Sequence, residues 1–98
     1  MRMLMTVQME TEATNRAIQD GSLSQLLDST MERFHAEAAY FSTLNGIRTV
    51  YIIFDLDEAS RIIEIAEPLF TGLKAKIDLA PVMTADDVRE GLSRLPRK

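Results

Sequence analysis

The sequence predicts a small α+β domain in which a four-stranded antiparallel sheet carries two long helices on one face. Three observations predict it: apolar residues alternate with a period of two in four segments, they recur at helical spacing between those segments, and Asn45-Gly46 joins the two middle strands. Because both turn residues tolerate a positive φ angle, Asn-Gly between two alternating runs indicates a two-residue hairpin. The predicted order is strand, helix, strand, strand, helix, strand, helix.

The first half of the chain is predicted to form one strand and one bent helix. The alternating residues of the strand are Met3, Met5, Val7 and Met9. Acidic Glu10 and Glu12 follow this run directly, so we expect a strand and not a secretion signal. Helical spacing then extends to about residue 34, with a bend at Gly21 and a capping box of Ser22 and Gln25 at the restart.

The second half of the chain is predicted to supply the hairpin, a second long helix, a last strand and a short helix. Asp57 is expected to cap the long helix, which contains Pro68. The apolar stripe of that helix is Ala59, Ile62, Ile63, Ala66, Leu69, Phe70 and Leu73. Pro81 indicates that the last strand lies at a sheet edge, and a capping box of Thr84 and Asp87 predicts a final helix. The final helix carries Val88, Leu92 and Leu95.

This order of elements predicts a ferredoxin-like sandwich formed by a single domain of residues 1–98, since so short a chain cannot build a second core. The two-residue turn fixes the hairpin register. The predicted pairs are Leu44 with Ile47, Thr43 with Arg48, Ser42 with Thr49, Phe41 with Val50 and Tyr40 with Tyr51. The uniformly apolar face, expected under the helices, holds Ala39, Phe41, Val50, Ile52 and Phe54. The other face holds Tyr40, Ser42, Leu44, Ile47, Thr49, Tyr51 and Ile53.

The second sheet face is too apolar for full exposure to solvent and too polar for a sealed core. Its simplest cover is a second copy of the chain, because two-fold dimers are the commonest oligomers of soluble proteins. We therefore expect a homodimer formed through the sheet face. Such a surface is also compatible with a wet cavity for a small molecule.

Composition excludes several classes of function. The chain has a net charge of −4, so nucleic acid is not an expected partner. The absence of cysteine removes disulfides and thiol chemistry, and no apolar stretch is long enough to cross a membrane, so we expect a cytoplasmic protein. No phosphate loop, dinucleotide fingerprint, nucleophile elbow or zinc spacing occurs, and no cofactor is expected.

Four residues are candidates for ligand binding, and each also has a structural explanation. His35 is the one histidine and could act as a general base, or it could interact with the last carbonyl groups of a helix. Tyr40 and Tyr51 could donate hydrogen bonds to a ligand, or pack as cross-strand partners in a dimer interface. Arg48 could bind an anion, or remain a solvated charge beside the turn.

Acidic residues cluster at Asp55, Asp57 and Glu58, a composition that could suggest a divalent cation. Hard cations require several oxygen ligands converging from a loop, and no glycine-containing calcium loop surrounds these residues. Helix capping explains Asp57 more simply. We therefore expect no metal site.

Five motifs resemble a family of small bacterial proteins of uncharacterised function within the dimeric α+β barrel superfamily. They are NRAIQDG, EAAYF, GIRTVYIIFDLDEAS, IAEPLF and APVMTADDV, and the resemblance covers nearly the whole chain. The resemblance implies two ferredoxin-like subunits that bring their sheets together. Relatives in the superfamily include muconolactone isomerase-like proteins, haem-degrading and quinone-forming monooxygenases, and stress-responsive proteins.

Three classes of function follow, and the fold alone does not choose among them. The leading hypothesis is a homodimer that binds a small molecule. The second is a cofactor-free isomerase or monooxygenase acting on a small aromatic compound or a lactone, with Tyr40, Tyr51 and His35 supplying polar contacts. The third is a non-catalytic structural or regulatory interaction module.

Overall fold

Four strands and four helices form within residues 1–97, the part of the chain that the computed structural model describes. They are β1 (Arg2–Gln8), α1 (Thr11–Gln19), α2 (Ser22–Arg33), β2 (Ala38–Leu44), β3 (Ile47–Asp55), α3 (Arg61–Leu73), β4 (Lys76–Pro81) and α4 (Ala85–Ser93). The strands form one antiparallel sheet in the order β2-β3-β1-β4. The domain therefore belongs to the α+β class, and its order of elements is consistent with a ferredoxin-like fold.

The hairpin confirms the predicted register in all five pairs from Leu44–Ile47 to Tyr40–Tyr51. Asn45 has a φ angle of 54° and Gly46 one of 77°, the positive values that a type I′ turn requires at both central positions. Because side chains alternate along a strand, this register fixes which residues share a face.

The first helical region is two helices and not one bent helix, because Gly21 has a φ angle of 80° and breaks the chain between α1 and α2. The predicted capping box of Ser22 and Gln25 is wrong. Gly21 itself is the N-cap residue and makes no side-chain cap, while the carboxylate of Asp20 accepts the Ser22 N–H at 2.9 Å. A side chain just before the glycine turn thus provides the acceptor that the glycine lacks.

Helix α3 begins at Arg61, so the prediction that Asp57 caps it directly is wrong. The intervening residues form a tight turn in which the Arg61 N–H donates to the Glu58 carbonyl at 3.1 Å. Asp57 lies 3.7 Å from the Arg61 guanidinium, as an exposed ion pair. Pro68 is accommodated inside the helix.

The buried stripe of α3 differs from the predicted one. Its buried residues are Ile65, Ala66, Leu69 and Leu73. Ile63 is 66% exposed and Phe70 is 42% exposed, so the prediction that both face the core is wrong. Residues 62–66 are apolar on two sides of the helix, and a helical pattern with two apolar sides does not determine which side faces the sheet.

The hydrophobic core lies between the sheet and helices α1–α3. Its strand residues belong to the two central strands and are Met3, Met5, Val7, Val50, Ile52 and Phe54. Phe41 was predicted to pack under the helices, but it is 57% exposed although its cross-strand partner Val50 is fully buried. The reason is position: β2 is an edge strand, and the helices cover the central strands β1 and β3.

The predicted capping box of α4 is confirmed. The Thr84 hydroxyl accepts the Asp87 N–H at 3.2 Å, and the Asp87 carboxylate accepts the Thr84 N–H at 3.0 Å. Within residues 85–93, however, no residue of α4 is buried. The described chain measures 59 × 28 × 19 Å and has a radius of gyration of 16.0 Å, larger than the ~13 Å typical of a compact domain of this length. Helix α4 therefore projects from the body of the domain.

Candidate functional site

The outer face of the sheet, opposite α1–α3, is organised in three rows that cross all four strands. The strand registers place Ala80, Leu4, Ile53 and Ala38 side by side, here named the apolar row. The next row, the hydroxyl row, contains Asp78, Thr6, Tyr51 and Tyr40. The third, the polar row, contains Lys76, Gln8, Thr49 and Ser42. The side chains of the outer face therefore change from apolar to polar along the strands.

The apolar row and the hydroxyl row are open to solvent in the single chain. Leu4, Ile53 and Tyr51 are half-buried, and Tyr40 is 65% exposed. Helices α1–α3 pack on the other face, and within residues 1–97 α4 makes no extensive contact with any strand. An apolar surface of this kind, without a cover from its own chain, is characteristic of an interaction surface.

Two members of the polar row, Gln8 and Thr49, donate hydrogen bonds to backbone carbonyls. The Gln8 side-chain amide reaches across β3 and donates to the Leu44 carbonyl at 3.2 Å. Thr49, which lies opposite Gln8, is fully buried, and its hydroxyl donates to the Ile47 carbonyl at 2.9 Å. The polar groups of these two central residues are therefore satisfied within the chain, while Lys76 and Ser42 are exposed.

Of the four predicted ligand-binding residues, the structure brings together only Tyr40 and Tyr51. These two are direct cross-strand partners on the outer face. Arg48 is exposed beside the hairpin turn, and the alternation of β3 places it on the opposite face from Tyr51. His35 lies in the connection between α2 and β2, near the other end of the hairpin. The four side chains therefore do not form one site.

His35 completes the end of α2 through its backbone. It has a φ angle of 50°, in the left-handed region, and its N–H donates to the Glu32 carbonyl at 3.4 Å. The Ala36 N–H donates to the Met31 carbonyl at 3.0 Å. This pair of bonds is a Schellman motif with histidine at the position that glycine usually occupies. The geometry accounts for His35 as part of a helix end, while its side chain is exposed.

A cleft of about 580 Å³ lies at the end of the sheet from which α4 projects. Arg2, Glu37, Asp55 and Asp87 contribute its charged side chains. The Arg2 guanidinium pairs with Glu37 at 3.1 Å, and the N-terminal ammonium pairs with Asp55 at 2.8 Å. The Asp87 carboxylate accepts the Thr84 N–H in the capping box of α4. Each of these charged groups therefore already has a partner within the domain.

Sequence reasoning missed this cleft because its residues come from four distant segments. No local pattern indicates it, because Arg2 and Asp55 meet through the pairing of two strands that are far apart in the sequence. A second concavity, of about 490 Å³, follows the exposed side of α2, and a third, of about 200 Å³, lies beside α1. Neither of these two, nor the end cleft, is lined by any of the four predicted ligand-binding residues.

Three carboxylates with lowered pKa values all lie at helix starts. The Ala13 and Glu12 N–H groups lower the pKa of Glu10, and hydrogen bonding to Ser22 lowers the pKa of Asp20. Hydrogen bonds with the backbone and then the hydroxyl of Thr84 lower the pKa of Asp87. Hydrogen bonds that stabilise a charged carboxylate produce such shifts at helix caps, so these residues have structural roles.

The described residues 1–97 contain no group of three or more histidine, aspartate or glutamate side chains arranged to hold a metal ion. In the same part of the chain, no helix is long and apolar enough to span a membrane. Searches against protein-family models and curated protein sequences found no match for the chain. The outer face of the sheet is thus the largest feature of the described residues without a structural role in the single chain.

Proposed function

We propose that the protein is a homodimer that binds a small molecule, with the outer faces of two sheets turned toward each other as in a dimeric α+β barrel. The observation that carries this proposal is the uncovered outer face, whose apolar row crosses all four strands. Burial of apolar surface contributes roughly 25 cal/mol for each Å² removed from water, so covering this row favours association.

The charges of the outer face also favour pairing of two identical copies. Lys76 and Asp78 are the charged members of the three rows, and they have opposite signs. The rows are therefore neutral as a set although the whole chain has a net charge of −4. Two such faces can approach without the like-charge repulsion that would oppose contact between acidic surfaces.

The hydroxyl row is the part of this interface suited to a ligand. It lies between the apolar row and the internally bonded polar row, so two facing sheets would enclose it. Tyr40, Tyr51 and Thr6 present aromatic rings and hydroxyl groups there. Binding sites for small molecules combine apolar walls with a few polar groups that fix orientation. The expected ligand is small and largely apolar or aromatic, with at least one hydrogen-bonding group.

Native mass spectrometry of the purified protein tests both parts of this proposal. The wild-type spectrum is expected to show a mass of two chains plus a retained small molecule, which the same experiment can release and identify. Tyr51→Phe removes one hydroxyl from the hydroxyl row without changing the ring. Loss of one hydrogen bond of ~1 kcal/mol is expected to weaken retention about fivefold while the dimer remains intact.

Thr43→Val is the matched control, because it removes a hydroxyl from the same hairpin on the opposite face. It is expected to leave retention unchanged. A wild-type dimer that carries no additional mass, even after incubation with a panel of small aromatic compounds, would contradict the binding proposal. Equal losses of ligand retention in Tyr51→Phe and Thr43→Val would show that the hydroxyl row does not bind the ligand.

A further inference from the structure

We propose that Asn45 is a self-modification site, which cyclises with Gly46 and converts to aspartate or isoaspartate when the end of the hairpin opens. This inference does not depend on the proposed dimer or its ligand. It starts from the turn that fixes the register of the hairpin and from the residues that surround this turn. The covalent change requires water and no other reactant.

The two turn residues carry the groups that this reaction needs. The Gly46 nitrogen loses its proton to hydroxide and attacks the side-chain carbonyl carbon of Asn45. The bond from that carbon to the side-chain nitrogen breaks, and ammonia leaves with a proton taken from water, so that a succinimide ring remains. Water opens the ring at either carbonyl carbon. Opening at the side-chain carbonyl gives aspartate, and opening at the main-chain carbonyl gives isoaspartate, whose main chain contains one additional methylene group.

The surroundings of the turn leave the attacking nitrogen accessible. Asn45 and Gly46 are both exposed, and no hydrogen bond between backbone groups within residues 1–97 engages the Gly46 N–H. A Cβ atom added at Gly46 would meet no other atom within 4 Å, so neighbouring side chains do not shield this residue. Glycine also hinders the attack least, because it has no side chain of its own.

The closed turn holds the reacting atoms apart. A type I′ turn has a ψ angle of about 30° at its first central residue, which directs the Gly46 nitrogen away from the Asn45 side chain. Ring closure requires a large rotation about this bond, so the turn must first lose its shape. The rate of modification is therefore set by how often the end of the hairpin opens.

The end of β2 is held less firmly than the start of β3. Strand β2 lies at the edge of the sheet, and its last five residues are exposed. Strand β3 is also paired with β1, and the Arg48 carbonyl accepts the Met9 N–H at 2.9 Å. The end of β2 is tied to β1 by the Gln8 side-chain amide, which donates to the Leu44 carbonyl at 3.2 Å. This exposed hydrogen bond opposes opening of the turn.

The two products affect the hairpin differently. Aspartate, like asparagine, tolerates a positive φ angle, so this product keeps the turn and adds one negative charge to a chain of net charge −4. Isoaspartate lengthens the main chain within a two-residue turn, and the altered turn no longer closes the Leu44–Ile47 pair. Because ammonia is lost to solvent, isoaspartate formation permanently opens the end of the hairpin that holds Tyr40 opposite Tyr51.

Peptide mapping of aged protein tests the site with an internal control. Trypsin places Asn45 in the peptide of residues 34–48, and it places Asn15, the other asparagine of the chain, in the peptide of residues 3–16. Asn15 is also exposed, but it lies within α1 and Arg16 follows it. After storage of the native protein at neutral pH, we expect at least tenfold more conversion at Asn45, because glycine leaves the attacking nitrogen open.

Electron-transfer fragmentation of the peptide of residues 34–48 distinguishes isoaspartate from aspartate, and both are expected. Conversion of Asn45 that does not exceed that of Asn15 would overturn the proposal. Conversion to aspartate alone would also overturn it, because direct hydrolysis of the side chain produces no isoaspartate.

Gln8→Ala tests whether opening of the hairpin controls the reaction. Loss of one hydrogen bond of ~1 kcal/mol is expected to raise the open population, and with it the conversion rate of Asn45, about fivefold. Gln25→Ala removes an exposed amide from α2 and is expected to leave this rate unchanged. Equal rates in Gln8→Ala and wild type would overturn the control by hairpin opening, while the mapping result decides the site itself.

Discussion

The two faces of the sheet alternate residue by residue along the same strands, yet they differ in what covers them. In β3, Ile52 is 2% exposed beneath the helices, whereas the adjacent Ile53 is half-buried on the outer face. Val50 and Tyr51 show the same difference. Apolar residues therefore occur on both faces, but helices cover only the inner face. One face stabilises the fold of the single chain, and the other leaves apolar surface open to solvent.

The largest effect is expected from placing a charge on the helix side of β3. Ile52→Lys would bury an ammonium group without a partner, and a buried unpaired charge costs about 4 kcal/mol or more. Since small domains are stable by ~5–15 kcal/mol, this variant is expected to be largely unfolded or close to it. Circular dichroism and urea titration measure the loss. A variant as stable as the wild type would show that the two faces are not distinguished by burial.

A smaller change, which is a gain in stability, is expected from a substitution in α1. Thr14 is fully buried, and its hydroxyl has no hydrogen-bond partner among the described residues. Thr14→Val keeps the shape of the side chain and removes a desolvated hydroxyl, so it is expected to raise the free energy of unfolding by ~1 kcal/mol. Urea titration at a fixed protein concentration measures the change. Thr30→Val is the matched control, because the Thr30 hydroxyl donates to the Leu26 carbonyl at 2.8 Å and no gain is expected there.

The smallest effect concerns the start of α1, which covers the inner face. Glu10 accepts the N–H groups of Ala13 at 2.7 Å and Glu12 at 3.1 Å, and these bonds lower its pKa. Because the pKa of Glu10 is lower in the folded state, its cap stabilises the fold fully above the ordinary glutamate pKa. This stabilisation is lost as the pH falls through the pKa of the folded state. Glu10→Gln is expected to make stability less dependent on pH in that acidic range.

Unfolding measured across the acidic range checks this prediction. Glu12→Gln serves as the control, because it removes a neighbouring carboxylate that accepts neither of the two cap hydrogen bonds. An unchanged pH dependence in Glu10→Gln would show that the cap does not contribute to acid sensitivity.

Much of the fold could be predicted from the sequence because its signals are local. Asn45-Gly46 determines the hairpin register, and the Thr84–Asp87 capping box marks the start of α4. Predictions failed where tertiary position decides the outcome. Phe41 fits the pattern of a core residue but lies on an edge strand, and the exposure of Ile63 depends on how α3 rotates over the sheet.

The candidate site could be predicted only in part for the same reason. Hairpin geometry places Tyr40 beside Tyr51, and alternation places them on the outer face. The remainder of the hydroxyl row depends on pairing between β1, β3 and β4, which are far apart in the sequence. The projection of α4 could not be predicted, because an amphipathic pattern requires a cover for the helix without specifying which molecule supplies it.

Light scattering on matched variants tests most directly whether the outer face associates with a second copy of the chain. Wild type is expected at twice the chain mass of 11.1 kDa at micromolar concentration. Ile53→Lys puts a charge into the apolar row and is expected to give a folded protein with the mass of one chain. Ile63→Lys makes the same change at an exposed site on α3 and is expected to stay dimeric. A monomeric wild type, or a dimer that persists in Ile53→Lys, would contradict the account.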